Sequence, residues 1–396
     1  MTTDQIVIVA ARRTPIGAFQ GALSAVAAPE LGANAIAAAL ADCGVEGSDV
    51  NEVIFGCVLP AGLGQAPARQ AALAADIPKS VGCTTINKVC GSGMKAAMLA
   101  HDLIRAGSAD IVVAGGMESM SNAPYLLPKA RGGYRMGHQE VLDHMFYDGL
   151  QNPYDKNMMG HFAELTADKY SFTREAQDEF STASVRRAIN ACESGAFANE
   201  ITPVTVRSRR SETVVDTDEE PFKADIDRIP TMRPAFRRDG GTVTAASSSS
   251  ISDGAAALVL MRASEAASRG LEPLATIAGH SGYAHEPEWF TTAPVHAIAS
   301  LHDMLDWSPG SIDLYEINEA FAVVTMAAMH DLGLDHERVN VNGGACALGH
   351  PIGATGARLM VTLVHAMKQR HGERGIASLC IGGGEATAIG LTRGNG

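Results

Sequence analysis

The sequence is poor in several features that mark particular classes of protein. Only 5% of its 396 residues are aromatic, which argues against an aromatic-rich β-sandwich. The seven cysteines are odd in number and scattered, and no two form a Cys-x-x-Cys pair, so neither a disulfide framework nor a structural zinc site is expected. No stretch supplies the roughly 18 uncharged apolar residues that span a bilayer, and the N-terminus lacks the pattern of a secretion signal. We therefore expect a cytoplasmic protein without membrane insertion.

Basic side chains are also in the minority. The 31 lysines and arginines are outnumbered by 44 aspartates and glutamates, which gives a formal net charge of −13. This excess argues against a nucleic-acid partner. The hydrophobic content of 46% is ample for large buried cores, and together with 41 glycines and abundant alanine it favours tightly packed α/β layers.

Sequence motifs for nucleotides and metals are missing as well. No P-loop is present, and the glycine run at 382–384 is not a dinucleotide fingerprint, because no helix with an acidic partner follows it. The histidines, including His138, His144 and His161, lack a spacing such as His-Glu-x-x-His. We therefore expect no metal site and no tightly bound cofactor.

The sequence does contain alternating short β-branched runs and alanine-rich helical patterns. Residues 6–10 predict a buried strand, 92–106 a helix, and 110–114 a strand that closes at the following Gly-Gly pair. After residue 270 the same order returns, with a helix from 355 leading to a strand at 377–381 and a glycine run. Two copies of one α/β unit are the simplest interpretation.

Between these units the character of the chain changes. Clean strand–helix alternation fades from residue 119 to 249, where Pro, Tyr, Met, Arg and Asp become frequent. One helical pair, at about 161–170 and 174–194, and a strand at 201–206 are predicted there. We interpret 119–249 as an inserted lobe, which leaves 1–118 with about 250–270 as the N-terminal half and 271–396 as the C-terminal half.

Cys90 lies where an apolar strand meets the start of a helix. The first-turn amides and the helix dipole favour a thiolate, so this placement predicts a lowered thiol pKa and a nucleophile. On placement alone, a small buried hydrophobic side chain explains Cys90 equally well.

Three further residues follow predicted strands. His350, between Gly349 and Pro351, is expected to be exposed at the carboxyl end of a strand as a general base, and the alternative is a loop histidine held by backbone groups. Cys380 ends the strand before a glycine turn whose amides could bind an oxyanion, although such a cysteine alone is more often part of the core. Asn318, ahead of a helix, is better explained by an N-cap when taken alone.

Taken together, these segments resemble the thiolase family, of the acetyl-CoA acetyltransferase or 3-ketoacyl-CoA thiolase type, from near Ile6 to Leu391. The resemblance implies two similar mixed-sheet α/β halves in layered packing, an inserted α/β loop domain, and assembly as a dimer or tetramer. Five segments match in order, and these are 62–70, the residues around Cys90, Asn318-Glu319-Ala320-Phe321, Gly349-His350-Pro351 and Cys380-Ile381-Gly382-Gly383-Gly384.

The resemblance also implies a role for each residue. Cys90 would accept the acyl group, His350 would remove its proton, and Cys380 would be the second acid/base. Asn318, through a water, and His350 would form one oxyanion site, while the backbone amides of Cys90 and Gly382 would form the other. The reaction would be ping-pong, with coenzyme A as cosubstrate.

The inserted lobe would bind coenzyme A. The match to the CoA-contacting serine of the family falls on Ser249, and Lys223 and Arg210 would meet the cofactor phosphates.

Two departures leave the length of the acyl chain open. Met158-Met159-Gly160 stands where acetoacetyl-specific members have His-Met-Gly, and Phe290 stands where many biosynthetic members have Met. The expected function is condensation of acetyl-CoA or thiolysis of short 3-ketoacyl-CoA. The alternatives are a broad or long-chain 3-ketoacyl-CoA thiolase of β-oxidation and a non-catalytic acyl-CoA or lipid carrier. A decarboxylating ketoacyl synthase fits less well, because it would have His or Asn in place of Cys380.

Overall fold

The computed structural model describes residues 4–207 and 211–394. Its strands are β1 Ile6–Arg13, β2 Gly17–Ala18, β3 Glu52–Gly56, β4 Gly82–Ile86, β5 Ile111–Ser119, β6 Tyr125–Leu126, β7 Leu142–Asp143, β8 Val204–Arg207, β9 Glu212–Val215, β10 Ser252–Arg262, β11 Ala275–Ala284, β12 Leu314–Ile317, β13 Arg374–Ile381 and β14 Glu385–Thr392. Its α-helices are α1 Ala28–Cys43, α2 Pro67–Ala74, α3 Ser92–Ala106, α4 Met159–Tyr170, α5 Arg174–Glu193, α6 Ala263–Ser268, α7 Ala293–Leu305, α8 Ala322–Leu332, α9 Ala345–Leu348 and α10 Thr355–Gln369. Within these described ranges, no helix is both long and apolar enough to cross a bilayer.

Ten of the strands form one mixed sheet whose two ends have the same pattern. The order is β12-β13-β14-β11-β1-β10-β5-β3-β4, with β2 beside β10. In the N-terminal half β3 is parallel to β5, β5 is antiparallel to β10, and β10 is antiparallel to β1. In the C-terminal half β12 is parallel to β13, β13 is antiparallel to β14, and β14 is antiparallel to β11. The counterpart of β4 is an isolated parallel bridge between Tyr315 and Val339. The expected fold class, two duplicated mixed-sheet halves, is confirmed.

Helices α3 and α10 lie where the two halves of the molecule meet. They pack against each other and share one apolar core with strands of both halves. Every residue of α10 from Thr355 to Met367 is buried, as expected of a helix enclosed on all sides. Each of the two helices begins close to a segment that carries a candidate site residue.

The glycine pair Gly115-Gly116 does not end β5, contrary to the sequence prediction, because the strand continues to Ser119. A Cβ on Gly115 would lie 2.1 Å from the Ala256 carbonyl oxygen, and one on Gly116 would lie 2.0 Å from that of Gly353. These glycines therefore allow the close approach of neighbouring backbone within the strand. Gly353 belongs to the loop that carries His350.

The segment between β5 and β10 contains α4, α5 and two small antiparallel sheets, β6–β7 and β8–β9. A buried ion-pair cluster attaches this segment to β1. The Arg13 guanidinium donates from Nε to Glu200 Oε1 at 2.6 Å and from Nη1 to Asp218 Oδ1 at 2.7 Å. All three side chains are fully buried, so removal of one partner would leave an uncompensated charge.

Candidate active site

Cys90 lies in the short turn between β4 and α3. The residue before it, Val89, has φ +47°, a left-handed conformation that costs a β-branched residue about 1–3 kcal/mol. Two side chains hold this conformation. The Val89 N–H donates to Asn87 Oδ1 at 2.8 Å, and Ser92 Oγ donates to the Val89 carbonyl at 2.7 Å. The turn therefore fixes Cys90 at the wall of a cavity.

Desolvation determines the protonation state of the Cys90 thiol. Burial raises the pKa of Cys90 to about 11, although the backbone amides of Gly382 and of Cys90 itself act to lower it. The expected lowering of this pKa is therefore wrong. The helix starts two residues later, at Ser92, and its end does not outweigh the loss of water. At neutral pH the thiol is protonated and needs a base to become a nucleophile.

His350 lies in the loop between α9 and α10. Sequence reasoning predicted an exposed side chain, but only 5% of it is exposed, because the loop is folded inwards against Glu118 and Ser250. Thr355 Oγ1 donates to the Pro351 carbonyl at 2.9 Å, so it accepts from His350 Nδ1–H at 2.6 Å. This arrangement assigns the tautomer, with the free lone pair on Nε2.

The imidazole of His350 is neutral over the whole working range of pH. Burial, together with the nearby positive charge of Arg358, lowers the pKa of His350 to about 3. A neutral imidazole with a free Nε2 can accept a proton from a thiol, and here both groups lie on the same cavity.

Asn318 follows β12 and is not an N-cap, because α8 begins at Ala322 with Phe321 as its cap. The N-cap explanation is therefore wrong. Asn318 Nδ2 lies 3.5 Å from His350 Nε2, and Arg358 Nη2 lies 3.5 Å from Asn318 Oδ1. Arg358, which the sequence reasoning did not single out, thus orients the amide of Asn318 with its N–H groups towards His350.

Cys380 lies near the end of β13, and Gly382 lies in the turn that follows. Burial raises the pKa of the Cys380 thiol well above its usual range, and the neighbouring Cys90 thiol adds to the shift. Gly382 lines the same cavity as Cys90. A Cβ on Gly91 would lie 2.4 Å from Ile381 Cδ1, which shows how closely the Cys90 turn approaches this strand end.

The cavity has a volume of about 210 Å³ and an apolar wall. The family resemblance had pointed to Met158 and Phe290 of this wall, but not to its other members, which come from separate parts of the chain. Ring contacts support it, with Phe236 and Phe321 edge to face at 5.9 Å. The largest apolar side chains that line it are Phe146, Leu150, Met158, Met159, Phe236, Phe290 and Phe321.

The candidate CoA contacts have different positions. Ser249 lines the cavity beside Cys90. Lys223 lines a neighbouring cavity that shares Ser248 and Ser250 with the first, and its Nζ lies 2.7 Å from Glu219 Oε1. Arg210 lies outside the residues that the structure describes.

The comparisons with known proteins identify the family. Residues 6–264 match the family described as "Thiolase, N-terminal domain", and residues 271–393 match "Thiolase, C-terminal domain". The chain belongs to the thiolase family. This thiolase is 52% identical over 386 residues to acetyl-CoA acetyltransferase 2 of Arabidopsis thaliana, with 97% of this chain and 96% of that protein covered.

A bacterial relative and a solved structure agree with this assignment. The acetyl-CoA acetyltransferase of Pseudomonas aeruginosa is 49% identical over 392 residues, which cover 98% of this thiolase and 100% of the relative. The crystal structure of the Bacillus anthracis acetyl-CoA acetyltransferase superposes with a TM-score of 0.96 at 43% identity, over 98% of this chain and 99% of that one.

Proposed function

We propose that this thiolase is an acetyl-CoA C-acetyltransferase, which condenses two acetyl-CoA molecules to acetoacetyl-CoA and CoA, or runs the reverse thiolysis. The observation that carries the proposal is the neutral His350, with its Nε2 lone pair free, beside a protonated Cys90 on one small apolar cavity. The names of the relatives, which cover nearly the whole chain, support the acetyl group as the unit transferred.

In the first half-reaction, Cys90 Sγ attacks the carbonyl carbon of acetyl-CoA. His350 Nε2 takes the thiol proton and delivers it to the departing CoA thiolate, which leaves acetyl-Cys90 and free CoA. The backbone amides of Cys90 and Gly382 donate to the oxyanion that forms on the carbonyl oxygen. Because the cavity is lined almost entirely by apolar groups, these donors act in a medium of lower dielectric constant than water.

In the second half-reaction, the Cys380 thiol passes its proton to His350 Nε2, and the resulting thiolate removes a proton from the methyl group of a second acetyl-CoA. The carbanion attacks the carbonyl carbon of acetyl-Cys90, the C–C bond forms as the Cys90 thiolate departs, and His350 returns the proton to that thiolate. While it carries this proton, His350 donates from Nε2–H to the enolate oxygen, and Asn318 donates to the same oxygen through a water. In thiolysis each step reverses, and Cys380 protonates the departing acetyl-CoA carbanion.

The remaining parts of the proposal follow the family. Coenzyme A is the cosubstrate, with no tightly bound cofactor, and it is held by the inserted lobe 119–249 through Ser249, Lys223 and Arg210. The other two units are 1–118 with about 250–270, and 271–396. We propose that the enzyme works in the cytoplasm as a homodimer or homotetramer, in fatty-acid and lipid metabolism.

A broader 3-ketoacyl-CoA thiolase is the second candidate. Met158 replaces a histidine found in acetoacetyl-specific members, and it places an apolar side chain on the wall of the cavity. A wall without that polar group is compatible with a longer acyl chain. The size of the cavity, about 210 Å³, favours the short acetyl group.

Thiolysis of acetoacetyl-CoA, 3-ketohexanoyl-CoA and a long-chain 3-ketoacyl-CoA, with CoA saturating, tests the proposal. We expect kcat/KM to be highest for acetoacetyl-CoA, since each added methylene must fit within a cavity of about 210 Å³. Intact-mass spectrometry after mixing with acetoacetyl-CoA should show one acetyl group on Cys90. Equal turnover of longer chains would favour the broad-range enzyme. Binding without acylation or turnover would favour a carrier.

A further inference from the structure

A cluster of histidines and one carboxylate lies on the seam between the two halves, outside the cavity of Cys90. His101 and Asp102 are in the last two turns of α3, and His280 is in the middle of β11. The Asp102 carboxylate oxygen Oδ1 lies 3.0 Å from His101 Nδ1 and 3.0 Å from His280 Nε2. The two imidazole rings meet edge to face, with centroids 5.1 Å apart.

The spacing of these atoms fits the coordination shell of a small cation. Ligands of a tetrahedral Zn²⁺ ion, at about 2.0–2.1 Å from the metal, are separated from one another by about 3.3 Å. The one ligand atom that each side chain of this cluster offers lies within 4.8 Å of the other two. In the described ranges 4–207 and 211–394, no other three His, Cys, Asp or Glu side chains converge in this way.

The chemistry of the three groups also fits a metal ion. Burial lowers the pKa of His101, which keeps its imidazole neutral, and a metal ion would displace the single proton that Nδ1 shares with Asp102. Burial acts to raise the pKa of Asp102, but the hydrogen bonds with His101 and His280 outweigh it, and the net shift is downwards. The carboxylate is thus ionised. Its negative charge is opposite in sign to the positive charge of Arg105, which lies one turn further along α3.

Solvent reaches the cluster, mainly at Asp102. The Asp102 side chain is 52% exposed, while those of His101 and His280 are 8% and 18% exposed. His101 also lines a surface cavity with Arg105 and Asp4. A metal ion can therefore enter, and water can fill a fourth coordination position. The partly buried histidines are held in place by the helix and strand around them.

We propose that His101, Asp102 and His280 form a binding site for one divalent transition-metal ion, with Zn²⁺ preferred. Two imidazole nitrogens and one carboxylate oxygen are the donor set that such an ion takes in proteins. The bound ion would link α3, which follows the Cys90 turn, to β11 of the C-terminal half. Its role would be to fasten the two halves together at the end of α3 remote from Cys90.

Sequence reasoning predicted no metal site because it relied on local spacing. His101 and Asp102 are adjacent, but the third ligand lies 178 residues away along the chain, and the fold brings it to them. This site lies outside the cavity of Cys90. A negative result for metal binding would therefore leave the proposed function unaffected.

The test is calorimetric titration of the purified full-length enzyme with ZnCl₂, after the half-buried thiols have been alkylated with iodoacetamide so that cysteine does not compete. We expect one ion per chain. Asp102→Asn and His280→Phe should each weaken Zn²⁺ binding at least about 10–100-fold. Loss of a residue that only hydrogen-bonds to a metal ligand already lowers metal affinity by this factor. His138→Ala, which removes an exposed histidine of the inserted lobe, should bind like the wild type.

Two further readouts locate the ion without relying on enzyme activity. Anomalous diffraction from a Zn²⁺-soaked crystal should give a peak between the three side chains. Zn²⁺ should also raise the melting temperature of the wild type but not that of Asp102→Asn. The proposal is overturned if the wild type binds no ion, if both variants bind as tightly as the wild type, or if the anomalous peak lies elsewhere.

Discussion

The thiol of Cys90 and the imidazole of His350 line the same cavity as neutral groups. Burial raises the pKa of Cys90 to about 11 and lowers that of His350 to about 3, so the imidazolium forms only in strong acid and the thiolate only in strong base. We therefore expect neither of these two groups to produce an inflection in the rate of Cys90 acetylation by acetyl-CoA from pH 5.5 to 9. Rapid quenching and intact-mass spectrometry across this range measure it. A rate that rises with an apparent pKa near 6.5, the ordinary value for histidine, would contradict the neutral pair.

The second cysteine allows the two half-reactions to be separated. Cys380→Ser replaces the acid/base thiol by a hydroxyl that ionises far less readily, so we expect condensation to fall by about 10²–10⁴-fold. Acetylation of Cys90 by acetyl-CoA should persist, since His350 serves that step. Stopped assays of acetoacetyl-CoA formation, together with the mass of the acetylated protein, measure both. Cys83→Ser, at a half-buried cysteine of β4, is the control and should keep both rates.

At the scale of secondary-structure elements, strand β5 positions the loop that carries His350. Gly116→Ala would put a Cβ 2.0 Å from the Gly353 carbonyl oxygen, so either the strand or the loop must move. We expect a loss of about 1–3 kcal/mol of stability, as for other overpacked cores, and a lower kcat. Thermal melts followed by circular dichroism, with thiolysis assays, measure these effects.

Gly282→Ala in β11 is the matched control for this prediction. Its Cβ would meet the nearest atom, the Ala386 carbonyl oxygen, at 3.6 Å, which is an ordinary contact. This variant should stay within about 0.5 kcal/mol of the wild type. If Gly116→Ala were equally well tolerated, the glycine would not be needed for the approach of the loop.

The extent of sequence-based prediction differs from element to element. The bounds of α3 follow from its periodicity and from Gly107 at its end, and the structure has the same bounds, 92–106. Predictions from the local sequence pattern were wrong where the structure depends on a residue far away along the chain. Strand β5 continues past its glycine pair because it pairs with β10 as far as Ser119, and the burial of His350 depends on the inward fold of its loop. The fold class and the family were predictable from motifs in order, while the cavity wall needed the three-dimensional structure.

At the scale of the whole molecule, the two halves are joined through the layer of α3 and α10. Buried apolar residues of both helices belong to one core that also includes strands from each half. Neither half contains that core alone, although each has its own sheet pattern. The catalytic groups are divided in the same way, since Cys90 belongs to the first half, and Asn318, His350 and Cys380 belong to the second.

This division predicts that the halves depend on each other for folding. Residues 271–396, expressed alone, would expose the face of α10 that packs on α3, a large apolar surface that a monomeric domain rarely tolerates. We expect no cooperative thermal transition and rapid proteolysis for this fragment and for 1–270. Co-expression of the two should restore resistance to proteolysis and part of the acyl-transfer activity, because the core and the site reassemble together. A sharp transition in either fragment alone would show that the central helices are not required for its fold.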